Sequence, residues 1–146
     1  MGPHIVGFSL KAKRGEVVGL LGLQGAGQSE VLRASAGVEP RDTGLGAVKV
    51  IGKVLDRAGL APGDVTLWEI NEAFASVPIA ACREYGLDED LVNIYGSGCS
   101  LGHPIAASGA RMLTTLVYEL GRRGGGIGVA AMCAGGGQGG AVVIEV

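Results

Sequence analysis

The apolar positions of this chain alternate between short unbroken runs and spacings of three and four, the pattern of an α/β sheet protein. Residues 16–23 (EVVGLLGL) form a continuous apolar run, expected as a buried parallel strand. A glycine turn follows, and 29–36 reads as a short helix ending at Gly37. Residues 39–44 (EPRDTG) are turn chemistry and the best candidate for a boundary. A helix is expected over 48–58, because Ile51, Val54, Leu55 and Ala58 recur at helical spacing and Gly59 supplies a C-cap. Residues 65–70 predict a strand, and 72–85 a helix with Phe74, Val77 and Ala81 on one face. Pro78 falls inside that helix and is expected to kink it, at ~3 kcal/mol unless packing compensates. Residues 92–95 read as a short strand leading into the loop 96–103. From Pro104 the chain is helical again, with Met112, Leu113, Leu116, Val117 and Leu120 as the buried stripe. Residues 127–133 and 141–146 then read as two strands joined by a GGGQGG hairpin. The elements predict an α/β fold: a single domain with a mixed, mostly parallel sheet and helices on both faces.

Composition narrows the function classes. With 146 residues the chain supports one domain with a real core. Its net charge of −2 gives no electrostatic footprint for nucleic acid or an anionic membrane. The aromatics (Phe8, Trp68, Phe74, Tyr85, Tyr95, Tyr118) are scattered rather than interleaved with basic residues, so stacking on single strands has no support. Glycine is the outlier, at 28 residues, and its clustering suggests loops that bring backbone close to a ligand. Cys82, Cys99 and Cys133 form no CxxC and sit in no His cluster, which argues against a disulfide framework or a metal site and for a reducing, cytoplasmic setting. No secretory signal is expected from the first residues. Residues 124–144 lack charge, but their glycines make them too weakly apolar for a membrane helix.

Several residues are placed to carry chemistry. Acyl transfer needs a nucleophile, a base, an acid and an oxyanion hole. His103 precedes a predicted helix, whose dipole favours the neutral imidazole that can accept or donate a proton. Cys133 ends a strand and enters a glycine run, leaving its sulfur little covered, although a small buried residue is the commoner fate of cysteine. Asn71 is expected to open a helix, where its amide would cap the backbone or hold a water. Residues 98–102 (GCSLG) match the G-x-S-x-G nucleophile elbow, which makes Ser100 an alternative nucleophile of a serine esterase. The partner order argues against it, since the only downstream histidine is His103, three residues away. Cys99, four residues from His103, is a further substitute nucleophile.

The stretches WEINEAFA (68–75), GSGCSLGHP (96–104), ASGAR (107–111) and CAGGGQGGA (133–141) resemble, in order, the C-terminal half of the thiolase family. KVLDRAGL (53–60) is similar too, so the resemblance covers residues 47–146. It implies that His103 activates the nucleophile, that Cys133 exchanges protons with substrate, and that Asn71 holds an oxyanion-hole water. Gly135, Gly136, Gly137 and Gly139 would let backbone N–H groups approach the acyl oxygen. No cofactor is required, and a CoA thioester or small acyl ester is the implied substrate. In this family the nucleophilic cysteine and the pantetheine loop belong to an N-terminal half outside the resembling stretch. Hydrolysis of an ester or thioester is therefore expected ahead of full Claisen condensation. Ala106 stands where the family usually has glycine, which would crowd the loop. Two similar halves pack together in this family, so an isolated half is expected to cover its apolar helix face by forming a homodimer.

Residues 8–37 (FSLKAKRGEVVGLLGLQGAGQSEVLRASAG) resemble instead the ATP-binding domain of a sugar-type ABC transporter. Gly22, Gly25, Gly27 and Ser29 fit a phosphate loop, but Gln28 replaces the lysine that reaches the terminal phosphates. Weak phosphate binding without hydrolysis is the expectation, with no catalysis at all as the remaining reading. Residues 1–46 are expected to serve as a βα fragment completing the sheet of 47–146.

Overall fold

The computed structural model describes residues 45–146; the strand, helix, turn and phosphate-loop expectations for residues 8–44 lie outside them. Helix α1 (Leu45–Ala58) starts three residues before the predicted position. It buries Ala47, Val48, Ile51 and Leu55, and ends as expected at Gly59, whose φ is +68°. The Leu60 N–H then reaches back to the Leu55 carbonyl, closing the helix end with a left-handed residue that glycine adopts freely.

Three strands form one mixed sheet in the order β1 (Leu67–Ile70), β2 (Ile127–Ala134), β3 (Gln138–Glu145). β1 runs parallel to β2 and β3 runs antiparallel to it. Alternation along the strands splits the core in two. Trp68, Ile70, Val129 and Ala131 pack with α1 and with helix α2 (Ser76–Tyr85) on one face. Leu67 and Ala130 pack with Met112, Leu116 and Leu120 of helix α3 (Ile105–Arg123) on the other. Helices thus cover both faces. Among the described residues no helix is long and apolar enough to cross a membrane.

Val117, expected in the buried stripe of α3, is 45 % exposed on its outer face. Three element boundaries are also corrected. The helix predicted over 72–85 begins only at Ser76, so Pro78 occupies its first turn and not its interior. The N–H groups of a first turn have no intrahelical acceptor, so the ring removes no bond there and needs no kink. Residues 92–95 are not a strand; a single parallel bridge pairs Val92 with Trp68. Asn93 then turns to φ +52°. Its side-chain amide takes over the pairing, accepting from the Ile70 N–H and donating to the Ile70 carbonyl, both at 2.8 Å. A side chain satisfies the outer edge of β1 where a strand was expected.

The third correction concerns GGGQGG. Only Gly135–Gly137 form the turn, a single 3-10 turn, while Gln138, Gly139 and Gly140 pair with Ala134, Cys133 and Met132 as strand. Glycine is a poor strand former, but here packing decides. A Cβ on Gly139 would collide with the backbone of Gly46, so the first turn of α1 lies directly on the start of β3.

Candidate active site

The C-terminal ends of parallel strands are where open α/β sheets place their ligands, because loops diverge there. β1 ends at Ile70, and Asn71 continues the pairing by donating its N–H to the Ala131 carbonyl at 2.9 Å. Asn71 therefore extends a strand end and is not the predicted helix cap; α2 starts five residues later. Cys133 lies two residues beyond Ala131 on β2, at the same end of the sheet, half-buried and packed against the α1–α2 core.

His103 reaches this end through the loop 96–104. Gly102, at φ +98°, turns the chain just before it, and Pro104 caps α3. The His103 ring is clamped at both nitrogens. Nε2 lies 3.3 Å from Nδ2 of Asn71, and Nδ1 lies 2.6 Å from Oγ of Ser108. The Ser108 hydroxyl in turn donates to the Pro104 carbonyl at 3.2 Å. A serine hydroxyl with its proton on that carbonyl accepts from Nδ1–H, which leaves Nε2 as a bare acceptor for the Asn71 amide. The other end of that amide, Oδ1, is buried and has no hydrogen-bond partner among the described residues. With Asn71 only 1 % exposed, such an idle acceptor is costly in a protein interior and suits a water or a substrate group.

A buried ion pair braces the loop from behind. Glu69 is 1 % exposed, and burial pushes its carboxyl above the usual range while the Arg111 charge and hydrogen bond pull it down. Arg111 binds Glu69 Oε2 with one nitrogen and donates to Ser97 Oγ with another at 3.1 Å. The guanidinium fork thus ties β1, the loop and α3 together.

The alternative nucleophiles stand elsewhere. Ser100 is exposed, and its Oγ bonds the backbone N–H and carbonyl of Ser97, at 3.2 and 3.4 Å, inside its own turn. Cys99 is exposed, and its N–H donates to Glu72 at 2.9 Å. Burial first, then the Glu72 charge, pushes its thiol up, away from the reactive thiolate. Ala106 is exposed on the first turn of α3. Gly135–Gly137 follow Cys133 after one intervening residue, Ala134, whereas Gly139 is committed to packing against α1. Residues Gly22, Gly25, Gly27 and Ser29 fall outside the described residues.

Ser108, Glu69 and Arg111 were missed from sequence. The signals were present: a glutamate inside the apolar WEI, and a serine one helical turn after the histidine.

A family model described as the thiolase C-terminal domain matches residues 28–146. The chain belongs to the thiolase family. Its relatives include the cytosolic acetyl-CoA acetyltransferase of Mus musculus, 48% identical over 112 residues, which are 77% of this chain and 28% of the relative. The acetyl-CoA acetyltransferase of Shinella zoogloeoides is 46% identical over 112 residues, 77% of this chain and 29% of its own length. Among solved thiolase structures, human mitochondrial 3-ketoacyl-CoA thiolase in complex with CoA superposes with a TM-score of 0.67 at 46% identity. That match covers 70% of this chain and 26% of the human one. The chain thus spans little more than a quarter of the thiolases it matches. The matched family region begins at residue 28, ahead of the 46/47 boundary drawn from sequence.

Proposed function

We propose that this chain carries the acid–base side of a thiolase acyl-transfer site and acts on a CoA thioester or a small acyl ester. The observation that carries this reading is the chain Asn71–His103–Ser108 at the strand ends, with Cys133 at the same edge. His103 Nε2 accepts a proton from an attacking thiol or water, and the idle Asn71 Oδ1 holds the water that serves the oxyanion. Cys133 exchanges a proton with the substrate, and Gly135–Gly137 admit the acyl group next to it. Transfer to water or to a small thiol is expected ahead of condensation. By family resemblance the acyl-carrying cysteine lies in the part of the relatives that this chain does not span. Two copies pair through the outer face of α3, whose exposed residues carry no charge along one stripe.

The test is steady-state release of CoA thiol from a short-chain acyl-CoA, with a p-nitrophenyl ester as second substrate. His103→Ala is expected to lose roughly 10²–10⁴-fold, the usual contribution of a general base. Wild-type and variant rates both equal to the buffer blank would defeat the reading.

A further inference from the structure

A neutral His103 imidazole can accept or donate at Nε2, and the two need opposite tautomers. Accepting a proton requires a bare Nε2, whereas hydrogen-bonding an oxyanion requires Nε2–H. The surroundings of the ring accommodate both. With Nδ1–H, the ring donates to Ser108 Oγ, the hydroxyl points to the Pro104 carbonyl, and Asn71 Nδ2 donates to Nε2. With Nε2–H, the hydroxyl turns to donate to Nδ1 across the same 2.6 Å contact. A half-turn of the Asn71 amide then offers Oδ1 to Nε2–H.

Each state leaves one end of the Asn71 amide unpaired, Oδ1 in the first and Nδ2 in the second, so the number of unpaired ends is the same in both. The Pro104 carbonyl keeps the backbone N–H groups of Ala107 and Ser108, at 2.8 and 3.0 Å, when the hydroxyl leaves. The Asn71 amide uses one end against the ring in either state, since Oδ1 is already without a partner in the first. The hydroxyl bond given up, at 3.2 Å, is longer than the one to Nδ1, which persists throughout.

We propose that Ser108 is a positioning residue whose hydroxyl, turning between the Pro104 carbonyl and His103 Nδ1, keeps both neutral tautomers of His103 populated. The proposal rests on the acid–base reading above. Ser108 supplies no proton. Exchange between tautomers takes one proton from solvent at one ring nitrogen and returns one from the other, so the balance is zero.

The experiment is the nitrogen-15 spectrum of the neutral His103 ring in the full chain. The chain has two histidines, His4 and His103, and a His103→Gln variant assigns the signals. Wild type is expected to show both ring nitrogens at shifts between those of a bare and a protonated nitrogen. Ser108→Ala, which suits a helix, removes the Nδ1 partner and is expected to move the ring to a single tautomer, Nε2–H held by Asn71. Ser108→Thr keeps a hydroxyl and is expected to restore the mixture. A pure tautomer in wild type, readable without any variant, overturns the proposal, as does a Ser108→Ala ring identical to wild type. The readout needs no turnover. A chain inactive toward thioesters therefore defeats the acid–base reading alone, and a pure tautomer in an active chain defeats this one alone.

Discussion

At the scale of single residues, the costliest groups in this protein are its buried charges. A carboxylate at 1 % exposure is tolerated because Arg111 answers it, and removing one partner of such a pair leaves the other uncompensated. Arg111→Ala is therefore expected to lose about 3 kcal/mol in urea unfolding at neutral pH, the low end of the range for buried pairs. The low end applies because the Arg111 side chain retains 27% exposure. The deficit is expected to shrink in acid. Burial raises the Glu69 pKa in the folded state, and losing Arg111 removes what lowers it. Stability linked to a raised carboxyl pKa is complete below the ordinary value of 4.5 and is lost as pH rises through the folded one. A deficit constant across pH would refute this account.

Glu119 shows the opposite sign. Hydrogen bonds from Arg123, Arg122 and Tyr95 hold its carboxyl down at about 2. The wild-type advantage over Glu119→Gln is expected to be full above pH 4.5 and to vanish as pH falls toward 2, read from melting temperatures. Of the candidate site, His103, Asn71 and Cys133 were singled out from motif order, and the structure brings them to one end of the sheet. Ser108, Glu69 and Arg111 were not singled out: the local pattern marks an unusual residue type, but their pairings span 5 and 42 positions and only the fold shows them.

At the scale of elements, α1 and α2 meet through an arrangement in which a glycine and a tyrosine depend on each other. The Tyr85 hydroxyl enters the turn of α1 at Gly52, donating to the Val48 carbonyl at 2.7 Å and accepting from the Gly52 N–H at 3.0 Å. A Cβ at Gly52 would lie 2.8 Å from that oxygen, inside contact distance. Gly52→Ala thus gains about 1 kcal/mol of helix propensity and loses the seat of the tyrosine. The two effects separate in a double-mutant cycle: Gly52→Ala is expected to destabilise wild type yet stabilise Tyr85→Phe. Equal effects in both backgrounds would show that the hydroxyl does not control the turn. Element types were legible wherever one face is buried, as in α1, α3 and β2. Boundaries failed where a tertiary partner replaces a local rule. Asn93 supplies by side chain what a strand 92–95 would have supplied by backbone. Gln138, Gly139 and Gly140 extend β3, and at Gly139 the first turn of α1 lies too close to admit a Cβ.

At the scale of the whole molecule, the candidate site and an uncharged helix face occupy different parts of the described residues. One end carries the candidate site, while the far side of α3 carries an uncharged stripe of exposed, mostly small residues. Ala107, Ala110, Thr114, Val117 and Gly121 are all exposed and recur at spacings of three and four. That is the seam period of paired helices, here built from residues small enough for close approach. Beside it a cavity of roughly 270 Å³ opens between α3 and the sheet, lined by Gly109, Met112, Met132 and Val142. An uncharged stripe flanked by an apolar hollow is the surface a second copy would cover, since a two-fold axis lets the same stripe face itself. Sedimentation velocity of the full chain is expected to show a dimer, and Ala110→Glu, which sets a charge on the seam of both copies, a monomer. The circular dichroism and melting of that variant's secondary structure should match wild type, because position 110 faces away from the core. A wild-type monomer, or an Ala110→Glu dimer of undiminished affinity, would mean that α3 does not pair with its own copy.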